Sequence, residues 1–277
     1  MEKHHIIETI ERTNAILDRE GLDDEFFKNM GFERLHIPHL KGYVSPINSE
    51  RVNHVGLARF SQDNADEMIQ IVIQEFKKYG KSFSWAVGPD STPSDLGDRL
   101  KNNGFHQMTD IQEAGMVMEL SSDNIRESHT SSVKEVTLDE LEENLDLIVK
   151  SFGSDMNKGS ANAILQTMKA VNATKRYNGQ IKTYIAYDKE TGGKVGFAVM
   201  EMDREGKYGI LDGSAVLPSF RGRGIYKSMV WKRLEDAKYN GLEFLIIHAL
   251  EETSAPICEK IGFRKICSIS FYGYNIQ

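Results

Sequence analysis

The stretch VLPSFRGRGIYKSMV, residues 216–230, joins three features that together can bind an anion. An apolar run ends at Pro218, a loop with Arg221, Gly222, Arg223 and Gly224 follows, and a helical pattern then begins. Glycines let a backbone approach a phosphate without a Cβ clash. The free N–H groups of a first helical turn, with the helix dipole behind them, favour negative charge. Arg221 and Arg223 add charge-assisted donors. Between Gly213 and Leu234 there are five basic residues and no acid, in a chain of net charge −7. The simpler alternative is a turn into an amphipathic helix whose basic residues are solvated. Neither G-x-G-x-x-G nor G-x-x-x-x-G-K-[ST] occurs in this stretch, so dinucleotide and P-loop signatures are absent from it.

Other chemistry is sparse. The only cysteines are Cys258 and Cys267, which fits a reducing cytoplasm and gives neither a disulfide framework nor a Cys-rich zinc site. The eight histidines show no H-E-x-x-H-like spacing, so no metal is expected. The excess of 41 acidic over 34 basic residues disfavours a nucleic-acid binder. No apolar run approaches the ~20 residues that span a bilayer, and the N-terminus, MEKHHIIETIERT, has no signal-like apolar region.

The 277 residues, 40% hydrophobic and 27% charged, suit two globular domains. SSDNIRESHTSS (121–132) holds five serines and a single aliphatic residue, Ile125, and reads as an exposed connection. We therefore expect a first domain at 1–122, a linker at 123–132 and a second domain at 133–277. In the second, strands are predicted at 133–136, 181–187, 195–202, 208–217, 242–249, 264–270 and 271–276. Helices are predicted at 138–152, 160–171, 224–238 and 254–261. The helix at 224–238 is to bury Ile225, Met229, Val230, Leu234 and Ala237, and DKETGG is to close a hairpin. This alternation is an α/β layered domain.

In the first half, helices are predicted at 4–19, 66–79 and 93–103, and strands at 83–87 and 116–120. Short apolar groups and turn residues fill 31–60. Gly104-Phe105 and Gly262-Phe263 lie 158 residues apart, as do Gly115 and Gly273. At that offset GDRLKNNGF overlays APICEKIGF with the same order of elements, which predicts an internal duplication. The loop 221–226 then falls on 63–68, where Asp63, Asp66 and Glu67 would repel a pyrophosphate. Trp85 reads as core. The segment 84–100 reads as a strand, loop and helix that could also line an acceptor pocket.

RGRGIY on a strand-to-helix junction resembles the acetyl-CoA loop of GNAT-type N-acetyltransferases, [QR]-x-x-G-x-[GA]. Arg221 and Gly224 match, whereas Tyr226 departs from the small residue expected last. Val216-Leu217-Pro218 before the loop and FLIIHALEETSAPICEKIGF after it extend the resemblance over 133–277. It implies a tandem arrangement: two GNAT-like domains, each a mixed, mostly antiparallel sheet flanked by helices, the first degenerate and without a cofactor loop. It also implies acetyl transfer from acetyl-CoA to a primary amine of a small molecule, by direct attack in a ternary complex. The resemblance places the pantetheine against backbone groups of Val216 and Leu217. It places the pyrophosphate against Arg221, Gly222, Arg223, Gly224, Ile225 and Tyr226. Cys258 stands where many members carry a tyrosine acid, and Glu252 where Asn is common. Asp212 is the nearest candidate base, followed by Glu251 and His248, although His248 also reads as a core histidine. The competing expectation is a non-catalytic acyl-CoA-binding or regulatory protein with this fold. Self-association into a homo-oligomer stays open.

Overall fold

The computed structural model describes residues 6–7, 9–11, 24–120, 131–153, 156–174, 178–203, 205 and 207–276. Most of the helix expected at 4–19 lies outside them, and the five residues described there are helical. Of the linker expected at 123–132, residues 123–130 also lie outside, and Ser131 and Ser132 are in a strand.

Two compact units make up the chain. The first draws on Met1–Met116, His248–Pro256 and Lys265–Gln277, the second on Val117–Ile247 and Ile257–Arg264. This partition differs from a single cut at 123–132, because the last strand is counted with the first unit.

The first unit contains α1 (Asp24–Asn29), β1 (Glu33–Arg34), β2 (Lys41–Val44), β3 (His54–Gly56), α2 (Ala65–Tyr79), β4 (Phe83–Val87), α3 (Leu96–Asn102) and β5 (His106–Gln107). β6 (Glu113–Glu119) starts three residues earlier than expected. β12 (Arg264–Tyr274) completes the sheet. Strand order is β1-β2-β3-β4-β12, and β5 also pairs with β12. β12 is one strand of 11 residues, not the two expected at 264–270 and 271–276. No Gly, Pro, Asn or Asp interrupts Ser270-Phe271, so nothing there turns the chain. It runs antiparallel to β4, Ser270 opposite Val87 and Tyr274 opposite Phe83.

Aromatic residues fill this core. Phe76 and Phe83 stack at 3.9 Å, and Phe105 meets Phe83 edge-on at 5.5 Å. Trp85, fully buried as expected, packs against Phe60 and Phe105. α2 supplies Ile69, Val72, Ile73 and Phe76 on one stripe, and ends at Gly80 in the left-handed conformation (φ 61°).

His54 is held neutral here. Its Nε2 lies 2.9 Å from the Arg51 carbonyl, which can only accept, so Nε2 carries the hydrogen and Nδ1 accepts from Ser84 Oγ at 2.6 Å. Burial lowers its pKa from 6.5 to about 4, against the opposing pull of the Arg51 carbonyl. The unfolded chain takes up this proton near 6.5 and the native chain does not until about 4. The resulting stability is present above 6.5 and is lost as pH falls towards 4. The expected result is a urea midpoint that drops between pH 7 and 4.5, with a smaller drop for His54→Asn. Equal drops would show that His54 does not contribute.

The second unit contains β7 (Ser131–Val136), α4 (Leu138–Glu142), α5 (Leu145–Phe152), α6 (Lys158–Ala173), β8 (Ile181–Asp188), β9 (Lys194–Asp203), β10 (Tyr208–Val216), α7 (Ile225–Tyr239) and the larger parts of β11 (Phe244–Leu250) and α8 (Ala255–Ile261). The single helix expected at 138–152 is two. Thr137 and Glu140 form a reciprocal capping box that starts α4, and Asn144 starts α5 afresh. The strands run β7-β8-β9-β10-β11, antiparallel until the final, parallel pair. DKETGG closes the β8–β9 hairpin as expected: the Asp188 and Gly193 backbones bond, and Gly192 takes φ 67°.

Both units repeat one pattern. β3–α2–β4 and β10–α7–β11 are each a strand, a 15-residue helix and a parallel strand. Each is followed by a seven-residue helix and a Gly-Phe pair with positive glycine φ, 91° at Gly104 and 120° at Gly262. Parallel neighbours need such a crossover. Each unit is thus a mixed, mostly antiparallel sheet flanked by helices.

Candidate anion site and strand opening

β10 departs from regular pairing in its second half. Asp212 faces Val199 on β9, but the next pair is Ala215 with Phe197, so β10 holds one extra residue in a bulge. Gly213 takes φ 30° there, and its N–H donates to Asp212 Oδ1 at 2.8 Å. Pairing with β11 stops at the same level: Tyr208–Leu211 lie against Phe244–Ile247, yet β10 continues to Val216. The two parallel strands therefore part at Asp212. A bulge that twists one strand away is the local cause, and it frees backbone from Asp212 onward on the side that faced β11.

Arg233 fixes this bulge from α7. Its Nη1 donates to Val199 O at 2.9 Å, Ser214 Oγ at 2.7 Å and Asp212 O at 3.4 Å, and its Nε to Met229 O at 3.1 Å. The side chain is fully buried. Sequence reading missed it, because a buried arginine is rare. Its place between Met229 and Ala237, four residues from each, put it on the apolar stripe. That stripe holds: Ile225, Met229, Val230, Leu234 and Ala237 are all buried.

Beyond Val216 the chain makes one turn of 3₁₀ helix (Pro218–Phe220) and enters the loop. Gly222 (φ 75°) and Gly224 (φ 77°) are both left-handed. Nothing would lie within 4 Å of a Cβ on Gly222, so the loop is open on that side. Gly224 is the N-cap of α7 with no side-chain cap bond, and no acid stands in the first turn, so the helix dipole there favours an anion. These features fit a pyrophosphate.

The arginines behave differently from one another. Arg221 Nε donates to Val216 O at 3.1 Å and its Nη2 to Ser151 O at 2.9 Å, so the guanidinium anchors the loop to β10 and α5. Arg223 is exposed and stacks over the Phe220 ring at 4.9 Å. Leu217 N–H is engaged by Val195 O at 2.9 Å, and the Val216 carbonyl already accepts from Arg221. Tyr226, the second residue of α7, turns its hydroxyl to 3.9 Å from Cys258 Sγ on α8. Burial pushes the Cys258 thiol up to about 11. Tyr184 on β8 is buried, and desolvation beside Asp236 raises its phenol.

The remaining candidates lie as follows. Asp212 is exposed at the parting of the strands. His248 is in the first unit, its Nδ1 3.8 Å from Glu113 Oε2. Glu251 accepts from Lys265 Nζ and Ser268 Oγ at 2.7 Å each; these bonds, Lys265 first, hold its carboxyl below the usual range. Glu252 is exposed. Among the described residues no group of three or more His, Cys, Asp or Glu is placed to hold a metal ion, and no helix is long and apolar enough to cross a membrane.

The first unit closes the corresponding opening. After β3, Arg59 bridges to Thr92, Thr92 N donates to Ala58 O at 3.0 Å, and Phe60 N to Thr92 O at 3.2 Å. The buried Glu11 carboxylate accepts from Arg59 Nη2 and from Asp90 N–H, both at 3.0 Å. Asp66 and Glu67 occupy the first turn of α2. Backbone and an acidic plug stand where the second unit is open.

Residues 160–263 match the model of the acetyltransferase (GNAT) family. No curated protein matches the chain in sequence. A GCN5-related N-acetyltransferase from Kribbella flavida superposes with TM-score 0.66 at 12% identity, covering 95% of each chain. One from Sphaerobacter thermophilus gives 0.62 at 13%, over 99% of this chain and 92% of that one. A tandem GNAT protein from the clavulanic acid biosynthesis pathway gives 0.59 at 11%, over 99% and 95%. The chain has the fold of these proteins, and most of the segment similar to the acetyltransferase family lies in its second unit. That segment supports acyl transfer as its general chemistry.

Proposed function

We propose that the second unit transfers an acetyl group from acetyl-CoA to the primary amine of a small acceptor, in a ternary complex. The carrying observation is the parting of β10 and β11 at Asp212, one loop before the uncapped N-terminus of α7. A pyrophosphate would take the amides of Gly222 to Tyr226, with Arg223 as the exposed cation and Arg221 holding the loop. The pantetheine would follow the freed edge of β10 towards Asp212. Holding the amine and the thioester in attack geometry supplies part of the rate in such a transfer. Asp212, exposed at the opening, is the group we assign to the amine proton. The closed first unit is a degenerate copy that binds no CoA. The reading needs no metal and places the enzyme in a reducing cytoplasm, in keeping with two free, buried cysteines.

Thiol release from acetyl-CoA against a panel of primary amines tests it. The expected result is amine-dependent release that falls about tenfold or more in Asp212→Asn, within the usual range for losing a general base. CoA binding without release to any amine would favour a non-catalytic acyl-CoA-binding protein.

A further inference from the structure

Breaking a thioester leaves a thiolate that must be protonated. The sequence pointed to Cys258 for this task, but the structure makes it a poor donor. It is fully buried, and S–H donates weakly.

Tyr226 stands beside it. It is the second residue of α7, is half-buried, and brings a phenol to 3.9 Å from Cys258 Sγ. Two turns along α7, Arg233 is fully buried and clamps the bulge at which the strands part. Its Nη2 has no hydrogen-bond partner among the described residues. Tyr226, Tyr184, Cys258 and Asp212 are all near enough for charge on them to act on Arg233. Asp236 lies beside Tyr184 and is held by Lys232 Nζ at 2.8 Å. Among the described residues no carboxylate bonds to Arg233, so its guanidinium, with one unbonded nitrogen, is a buried charge that a phenolate nearby would feel. A phenolate formed there gains an electrostatic partner that is already in place.

We propose that Tyr226 donates the proton to the departing thiolate, with Arg233 held in the bulge to stabilise the phenolate left behind. The inference deepens the acetyl-transfer reading and rests on it. The amine nitrogen forms its bond to the carbonyl carbon, and the C–S bond breaks with its electron pair on sulfur. The phenol O–H proton goes to that sulfur, giving free CoA thiol. The ammonium proton leaves through Asp212 or water, and the phenolate regains a proton from solvent. Arg233 is a positioning residue in this scheme. The two departures from the family's pattern, Tyr226 in the loop and Cys258 on α8, are thereby explained as one change: the acid comes from α7.

The test titrates the thiol of bound CoA by its thiolate absorbance, in the unmodified chain, Tyr226→Phe and Cys258→Ala. Tyr226→Phe keeps the ring and should bind CoA within twofold. A phenol hydrogen bond to the thiolate lowers the bound thiol's pKa by about one unit, and Tyr226→Phe loses that shift. Its acetyl-transfer kcat falls about a hundredfold with KM for acetyl-CoA little changed. Equal titration curves for the unmodified chain and Tyr226→Phe would overturn the assignment, as would loss of the shift in Cys258→Ala alone. Failure of the unmodified chain to bind CoA is a separate outcome, and it would overturn the cofactor reading together with this one.

Discussion

A Gly224→Val chain binds CoA about thirtyfold more weakly than the unmodified chain. Gly224 caps α7 at φ 77°, ψ 2°. A β-branched residue in that left-handed region costs on the order of 1–2 kcal/mol or more, so the loop would relax to another conformation. The Cβ would also stand where a phosphate approaches the first-turn amides. Together these amount to about 2 kcal/mol, or roughly thirtyfold in Kd. Gly222→Ala is the informative comparison. Its φ is almost the same, 75°, but nothing lies within 4 Å of the added Cβ. Only the conformational cost applies there, and a loss of about fivefold is expected. Calorimetry with CoA reads both. Equal affinities for Gly224→Val and the unmodified chain would mean that the α7 N-terminus is not the anion site.

The largest expected loss of stability comes from Phe83→Ala. Phe83 is fully buried, stacked on Phe76 at 3.9 Å and flanked by Phe105 at 5.5 Å and Tyr274 at 5.8 Å. Three stiff rings cannot collapse into the space it leaves, so about 3–5 kcal/mol is lost. For units of this size that lowers the Tm by roughly 10 °C. The exposed Tyr239→Ala, at 91% exposure, should change stability by less than about 0.5 kcal/mol. Differential scanning calorimetry separates the two. Because Tyr274 comes from β12, the experiment also shows that the end of the chain helps build the first unit. A Phe83→Ala chain that melts with the unmodified protein would contradict this core.

Local patterns in the sequence were enough for the elements that position the site. The stripe on α7, the DKETGG hairpin and the Gly-Phe steps at 104–105 and 262–263 are short-range signals, and each is found where the residues place it. Partners distant in the chain were not legible. Residues 264–276 read as two strands in the sequence, and the pairing of the single strand β12 with β4 joins residues nearly two hundred positions apart, which no local pattern encodes. The bulge at Asp212 had one sign, Gly213 in a strand. Arg233 had one sign too, a cation on an apolar stripe. The role of Arg221 could not be read, because the two carbonyls it holds belong to β10 and to α5, and only the folded loop brings them together.

A crystal structure of the chain with acetyl-CoA is the most direct test of the central claim. The expected result places the pyrophosphate within hydrogen-bond distance of the backbone amides of Gly222 to Tyr226. The pantetheine should lie along β10 between Val216 and Asp212, the thioester sulfur near the Tyr226 hydroxyl, and no CoA in the first unit. A pyrophosphate bound elsewhere, or a cofactor seated at the N-terminus of α2, would contradict it.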